Sequence, residues 1–246
     1  FNRRTIGRME TEDFRRFPLP EELFWPSPAC APYDLWYANA KTIMPGTTDY
    51  HVMFPLRWSL PEDKFDFHLA TSPDGIVWNF VPGGPVCQPG DPGAWDAGVT
   101  APGLGLVPLS GDRIGILYAG TPVPHKYPRR PPMGALAWAC WRKGRLVALE
   151  APLEGSFRLY PVRFAGRTAH LNFKSSPAGY VQVEVIGPDG KVVPGRSFAD
   201  CDRLNGDHLD HAVTWHGQAD LGHPRDSHLA LRFRLRSAQI FSVEFK

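Results

Sequence analysis

Residues 70–78 read ATSPDGIVW: an apolar-leaning run ends in Ser-Pro-Asp-Gly, and a tryptophan follows four residues after the aspartate. Asp-Gly marks a tight turn, because glycine takes the left-handed backbone without steric cost and aspartate bonds back to its own backbone. Trp78 then starts or caps a returning strand. The same aspartate-to-aromatic spacing occurs at Asp13 and Phe17, 61 residues earlier. DLWYANAKTIMPG from Asp34 aligns with DAGVTAPGLGLVP from Asp96 at a shift of 62, and DYHVMFPLRW from Asp49 with DRIGILYAGTP from Asp112 at a shift of 63. Three landmarks with nearly one offset make an internal repeat.

Each copy reads as short strands separated by turns. In the first they fall near 34–44, 50–58, 65–72 and 76–81, and in the next near 96–107, 113–120, 134–141 and 145–149. Alternation is clear in YHVMFPLRW and in FDFHLATS, where Phe65, Phe67 and Leu69 share one face. Four strands per unit at this period predict propeller blades, in which each sheet packs face to face on the next. The turn at Asp74 would join the outer strands of a blade, with Trp78 wedged between sheets. Composition agrees with an all-β chain: 26 prolines in 246 residues oppose long helices. A formal charge of +2 with scattered basic residues leaves no nucleic-acid footprint, and no apolar run is long enough for a membrane helix, so neither partner is expected. Cys30, Cys87, Cys140 and Cys201 form no CxxC pair, which argues against a zinc site and leaves buried thiols or one disulfide. The start, FNRRTIGRMETEDF, is neither an initiator methionine nor a signal peptide, so a processed, truncated or incompletely cloned start is expected.

Together GRMETEDF, DLWYANAKTIMPG, FHLATSPDGIVW, GAWDAG and ILYAGTPVPH resemble the five-bladed β-propeller glycoside hydrolases related to families 32 and 43. Their large bacterial members carry a β-sandwich after the propeller, and GYVQVEVIGPDGKVVPGRSFADCDRLNGD with ALRFRLRSAQIFSVEF resembles that module. The resemblance implies residues 1–150 as blades of an incomplete propeller and residues 151–246 as a β-sandwich accessory domain. It implies a carbohydrate substrate, hydrolysis of O-glycosyl bonds, no cofactor, and the secreted or periplasmic setting usual for glycan degradation, although nothing in the residues themselves fixes localisation. Five blades are needed, and the chain holds the end of one and then two more. Two radial sheets cannot close a ring, so the expected partner is an N-terminal propeller segment or an associated chain.

In the second half FRLYPVRF and TAHLNFK alternate cleanly, and YVQVEVIGPDGKVVPG is a hairpin turned at Pro188-Asp189-Gly190, with Val181, Val183 and Val185 on one face. Strands at such spacing suggest a two-sheet sandwich, either a carbohydrate-binding module or a domain that braces the propeller. Trp215 and Tyr180 are its candidates for sugar stacking.

Glycoside hydrolysis generally needs two carboxyl groups. Asp34 and Asp96 occupy matching positions at the starts of inner strands and are the expected catalytic pair, unless they only cap turns. Trp95 beside Asp96 could stack on a sugar. His125 in TPVPHKYP lies in a proline-rich loop and could bond hydroxyls. Arg57 in FPLRW could orient a carboxylate or a hydroxyl, or form a structural ion pair. Glu10, ending a strand, and Asn39, within an inner strand, complete the candidate substrate-binding set. His208, His211 and His216 are close in sequence, but 208 and 211 should face opposite sides of a strand, so no metal site is expected. The competing functions are a glycosidase with part of its machinery on this chain, a non-catalytic carbohydrate-binding protein, and a structural half that completes another polypeptide's propeller.

Overall fold

The computed structural model describes residues 4–23, 31–37, 41–128, 134–163, 165–223 and 227–246. Every regular element among them is a β-strand, and none of the sheets closes on itself. Contacts divide the chain into two units, residues 1–141 and 142–246.

The first unit contains β1 (Gly7–Arg8), β2 (Glu21–Glu22), β3 (Asp34–Tyr37), β4 (Lys41–Ile43), β5 (His51–Met53), β6 (Leu56–Ser59), β7 (Lys64–Phe67), β8 (Ala70–Ser72), β9 (Asn79–Phe80), β10 (Val99–Pro102), β11 (Val107–Leu109), β12 (Arg113–Thr121) and β13 (Ala135–Arg142). β1 and β2 form a small antiparallel pair. Along 34–80 the ladders β3-β6-β7 and β4-β5-β8-β9 are two halves of one antiparallel meander. Its middle strands break where Pro55, which has no N–H, separates β5 from β6, and the His68 N–H bonds to the Pro55 carbonyl at 2.9 Å. Phe54 and Leu69 fill that bend and are buried.

A second set follows: β10 and β11 run antiparallel to β12, and β13 also pairs with it. The two sets join edge to edge at one parallel bridge, Val99↔Phe65, backed by the Thr100 hydroxyl donating to the Phe65 carbonyl at 3.0 Å. Registers differ between the copies. Asp34 opposes Ser59, whereas the equivalent Thr121 opposes Val99, so Asp96 lies three residues ahead of β10 instead of opening it.

The turn that punctuates the repeat is built the same way twice. Asp74 Oδ1 accepts from the N–H groups of Ile76 (2.8 Å) and Val77 (2.9 Å), and Asp13 Oδ1 accepts from those of Arg15 (2.8 Å) and Arg16 (3.0 Å). The residue after each aspartate is left-handed, Gly75 at φ 72° and Phe14 at φ 55°. The turn at Asp74 links β8 to β9, and Trp78 is buried with Ile6, Trp36, Met53 and Ala70, its indole N–H donating to the Gly75 carbonyl at 3.0 Å. Phe17, at the matching place, is 56% exposed.

The second unit contains β14 (Leu149–Arg158), β15 (Val162–Arg163), β16 (Ala169–Ile186), β17 (Asp207–Ala212) and β18 (His228–Phe245). They form one antiparallel sheet in the order β14-β18-β16-β17, with β15 also on β18. Residue 150, where the sequence pattern changes, falls inside β14. The apolar side of the sheet, including Val181, Val183, Leu231 and Phe233, packs against Cys201, Leu204, Trp215 and Leu221 from the 187–223 connection. Trp215 is thus a core residue and no stacking surface. The hairpin turn at 187–191 forms as read, with the Gly190 N–H on the Gly187 carbonyl at 3.0 Å and Gly190 at φ 78°. Its return contributes only a single bridge, Ile186↔Val192.

Candidate functional site

Three neighbouring strands of the first unit place charged groups on one face. Trp36, Arg57 and Asp66 oppose one another across β3, β6 and β7, and Asp34 and His68, each two residues along, extend the row. Arg57 Nε donates to Asp66 Oδ1 at 3.0 Å, a second guanidinium nitrogen bonds Asp66 Oδ2, and Asp34 Oδ2 lies 3.7 Å from the same fork. His68 Nε2 is 3.3 Å from Asp66 Oδ1, and its ring meets Trp36 edge-on at 5.0 Å. Burial alone would push the Asp66 carboxyl up, but bonds from His68 and Arg57 outweigh it and hold the group below the usual carboxylate range. Asp66 is therefore ionised at neutral pH. Asp34 is 4% exposed and sealed beneath Arg57, so it lines no open surface.

Beside this row sits Asp96. Its Oδ2 accepts from the Tyr118 hydroxyl at 3.0 Å, and the half-exposed Trp95 ring lies 5.7 Å from Tyr118. Gly90 and Gly120 are the seat: a Cβ at Gly120 would come within 2.6 Å of Asp96 Cβ, and one at Gly90 would collide with its carboxylate. Burial, with the Asp96 charge adding to it, pushes the Tyr118 phenol up to about 12. Burial likewise pushes the Cys87 thiol up to about 11, and the charges of both Asp96 and Asp66 contribute. Asp66, on β7, and Asp96, in the loop ahead of β10, flank the Val99↔Phe65 junction, whereas Asp34 opens β3 on the far side of β6.

Among the candidates read from sequence, Asp34, Arg57, Trp95 and Asp96 belong to this region. His125 does not. Its ring packs on Trp58 at 4.9 Å and on Phe65 at 4.6 Å, and those residues alternate with Arg57 and Asp66, so the histidine lies on the opposite face. Glu10 is exposed and ion-paired to Arg8, in a shallow depression with Asp13, Phe14 and Phe17. Asn39 lies outside the described residues. Sequence reasoning passed over Asp66, His68, Cys87 and Tyr118. The signal for Asp66 was an acid between two core phenylalanines in KFDF: a buried charge needs a partner, and Arg57 was at hand.

In the second unit, His208 and His211 do not face opposite sides. A register shift between Leu171 and Phe173 puts two residues of β17, Leu209 and Asp210, against one of β16, Asn172, and the two rings lie 4.5 Å apart. His216 is elsewhere, 3.2 Å from Asp200. Among the described residues no group of three or more His, Cys, Asp or Glu side chains could hold a metal ion. The described thiols of Cys87, Cys140 and Cys201 are all free.

No protein-family model matches the sequence, and no curated protein matches it at a significant level.

Proposed function

We propose that the first unit is the sugar-handling part of a glycoside hydrolase of the β-propeller type, acting on a terminal sugar with carboxylates from repeated four-stranded units. The observation that carries this reading is a pair of carboxylates in different surroundings at one strand junction: Asp66 follows Phe65 on β7, and Asp96 stands three residues ahead of Val99, which bridges Phe65. Asp66 is buried and held ionised by Arg57 and His68, which suits the stabilisation of a positively charged, oxocarbenium-like centre. Asp96 is bonded by a hydroxyl and flanked by an exposed indole, which suits contact with the sugar ring and its leaving oxygen. The meander of residues 34–80 and its partial echo at 99–142 support the blade reading, and closure of a ring would draw on further blades from an N-terminal segment or another chain.

The test is hydrolysis of a panel of aryl-glycosides by the intact protein and by Asp96→Asn and Asp66→Asn variants. We expect each substitution to reduce kcat/KM by about 10²–10⁴-fold, the usual contribution of a positioned acid or base. A wild-type level in Asp96→Asn overturns its role.

A second reading is favoured by one observation: Arg57 lies against both Asp34 and Asp66 and offsets their charge, as in a structural ion pair. A non-catalytic carbohydrate-binding protein would then use Trp95 and Asp96 to hold sugar. Sugar binding without turnover, lost in Trp95→Ala and retained in Asp66→Asn, identifies that case.

A further inference from the structure

Three cross-strand rows cover the second unit's sheet on the side away from its apolar core: Arg158-Arg232-Glu184, Ser156-Arg234-Gln182 and Glu154-Arg236-Tyr180. Directly opposed residues share a face, so Arg158, Arg232, Arg234 and Arg236 form one stripe, which Arg203 joins from the connection. Arg158, Arg203, Arg232, Arg234 and Arg236 are all exposed. Only Arg232 has an acid partner there, Glu184 at 2.8 Å; among the described residues the others have no carboxylate within ion-pair distance. Three of the guanidinium groups are pre-positioned on aromatic rings. Arg234 lies 4.5 Å and Arg232 5.7 Å from the Phe198 ring centroid, and Arg203 lies 4.7 Å from that of Tyr180. Between them is a shallow depression of about 630 Å³ lined by Gln182, Glu184, Ser197, Phe198, Arg203 and Arg234, with the Glu184 charge offset by its pair with Arg232.

We propose that this face binds an acidic oligosaccharide through its carboxylates. A guanidinium seated against a ring has little rotamer freedom left to lose, and its N–H fork matches a carboxylate in a two-bond geometry. Alternate residues on a strand are about 6.8 Å apart, so Arg232 to Arg236 spans about 14 Å, the reach of an oligomer instead of a single sugar ring. The amide of Gln182 and the hydroxyl of Ser197 border the depression as hydrogen-bonding groups for sugar hydroxyls. A nucleic acid fits less well. Phe198 and Tyr180, already covered by arginines, leave no open ring for stacking a base. The choice of a glycan as ligand rests on the reading of the first unit; the site itself is built from residues of the second unit.

The experiment is isothermal titration of the intact protein with a galacturonate hexamer, its methyl-esterified form and a single-stranded oligonucleotide of equal charge. The acidic hexamer should bind, more weakly as salt rises, and the ester should not. Arg234→Ala with Arg236→Ala should weaken binding by about tenfold to a hundredfold, the effect of losing hydrogen bonds to a charged group. Arg234→Lys with Arg236→Lys, which keeps charge without the fork, should recover only part and guards against a folding defect. Equal binding of the ester, tighter binding of the oligonucleotide, or an unaffected alanine variant overturns the inference. Aryl-glycoside hydrolysis measured in parallel separates its failure from that of the first unit's role: turnover that persists while the hexamer does not bind removes the acidic-glycan site alone.

Discussion

Asp66 shows what a single residue carries. Its carboxylate is nine-tenths buried and lies against both Arg57 and His68. Removing Arg57 leaves that charge without its main partner, so Arg57→Ala should destabilise the protein by about 3 kcal/mol. That is the low end of what a fully buried pair costs, because Arg57 keeps more than a quarter of its side chain in solvent. Urea unfolding of the two proteins measures it, and a change within error means that water has taken the arginine's place. The thiols provide a second check. Burial raises Cys87 and Cys201 to about 11, which leaves almost no thiolate at neutral pH, whereas Cys140 is exposed. Iodoacetamide followed by peptide mapping should label Cys140 well before Cys87 and Cys201 in the native state. Asp96 drew attention in the sequence through its match to Asp34 at a shift of 62, whereas its seat, Gly90 and Gly120, lies outside GAWDAG and is set by packing between segments distant in the chain. His125 was misplaced because a loop's entry face depends on strand alternation, and Trp58 and Phe65 drew its ring to the far side.

Elements were easier to read than their registers. The turn at Asp74 was decided by local chemistry, a carboxylate bonding two N–H groups ahead of it with glycine in the left-handed region, and local chemistry is written in four residues. Alternation in the two long strands of the second unit was equally plain. What the sequence could not disclose was where strands slip: the shift between Leu171 and Phe173 brings His208 and His211 together, and the three-residue offset ahead of β10 leaves Asp96 in a loop. Bulges arise from the packing of partners distant in the chain, and no short window holds that information. Trp78→Ala should cost about 3–5 kcal/mol, since it empties a buried site between β8 and β9. Gly75→Ala should cost about 1 kcal/mol, because the backbone there is left-handed and the added methyl would press on His51 and Lys41 at 3.3 Å. Thermal denaturation ranks the two, and the reverse order contradicts the placement of Trp78 in the core.

Across the whole molecule, acid should be the destabilising direction. His211 is held below its ordinary value by burial and by neighbouring His208 and His170. The folded state therefore binds fewer protons there than the unfolded chain, and stability starts to fall as the pH drops below about 6.5. Asp66, Asp207, Asp210 and Asp220 are all held below the usual carboxylate range, Asp66 and Asp220 despite burial as the largest influence and Asp207 and Asp210 chiefly by Arg145 and Lys246. A depressed carboxylate contributes stability above its unfolded value and surrenders it as the pH falls through the folded one, so the steeper loss comes below about pH 4. Melting temperatures at neutral, mildly acid and strongly acid pH should decrease in that order, and His211→Gln should flatten the first step; a rise on acidification contradicts the assignment. The all-β character was legible at this scale, from proline content and strand alternation, while the edge-to-edge junction at Val99 was not. One border of that first unit has practical weight. Among the described residues β13 pairs with β12 alone, and one of its faces bears Leu136, Trp138 and Cys140 in the open, with a charge only at its end, Arg142. Concentrated stocks should begin to cloud through that margin, one copy zipping onto another, and oxidation at Cys140 would then rivet the copies together.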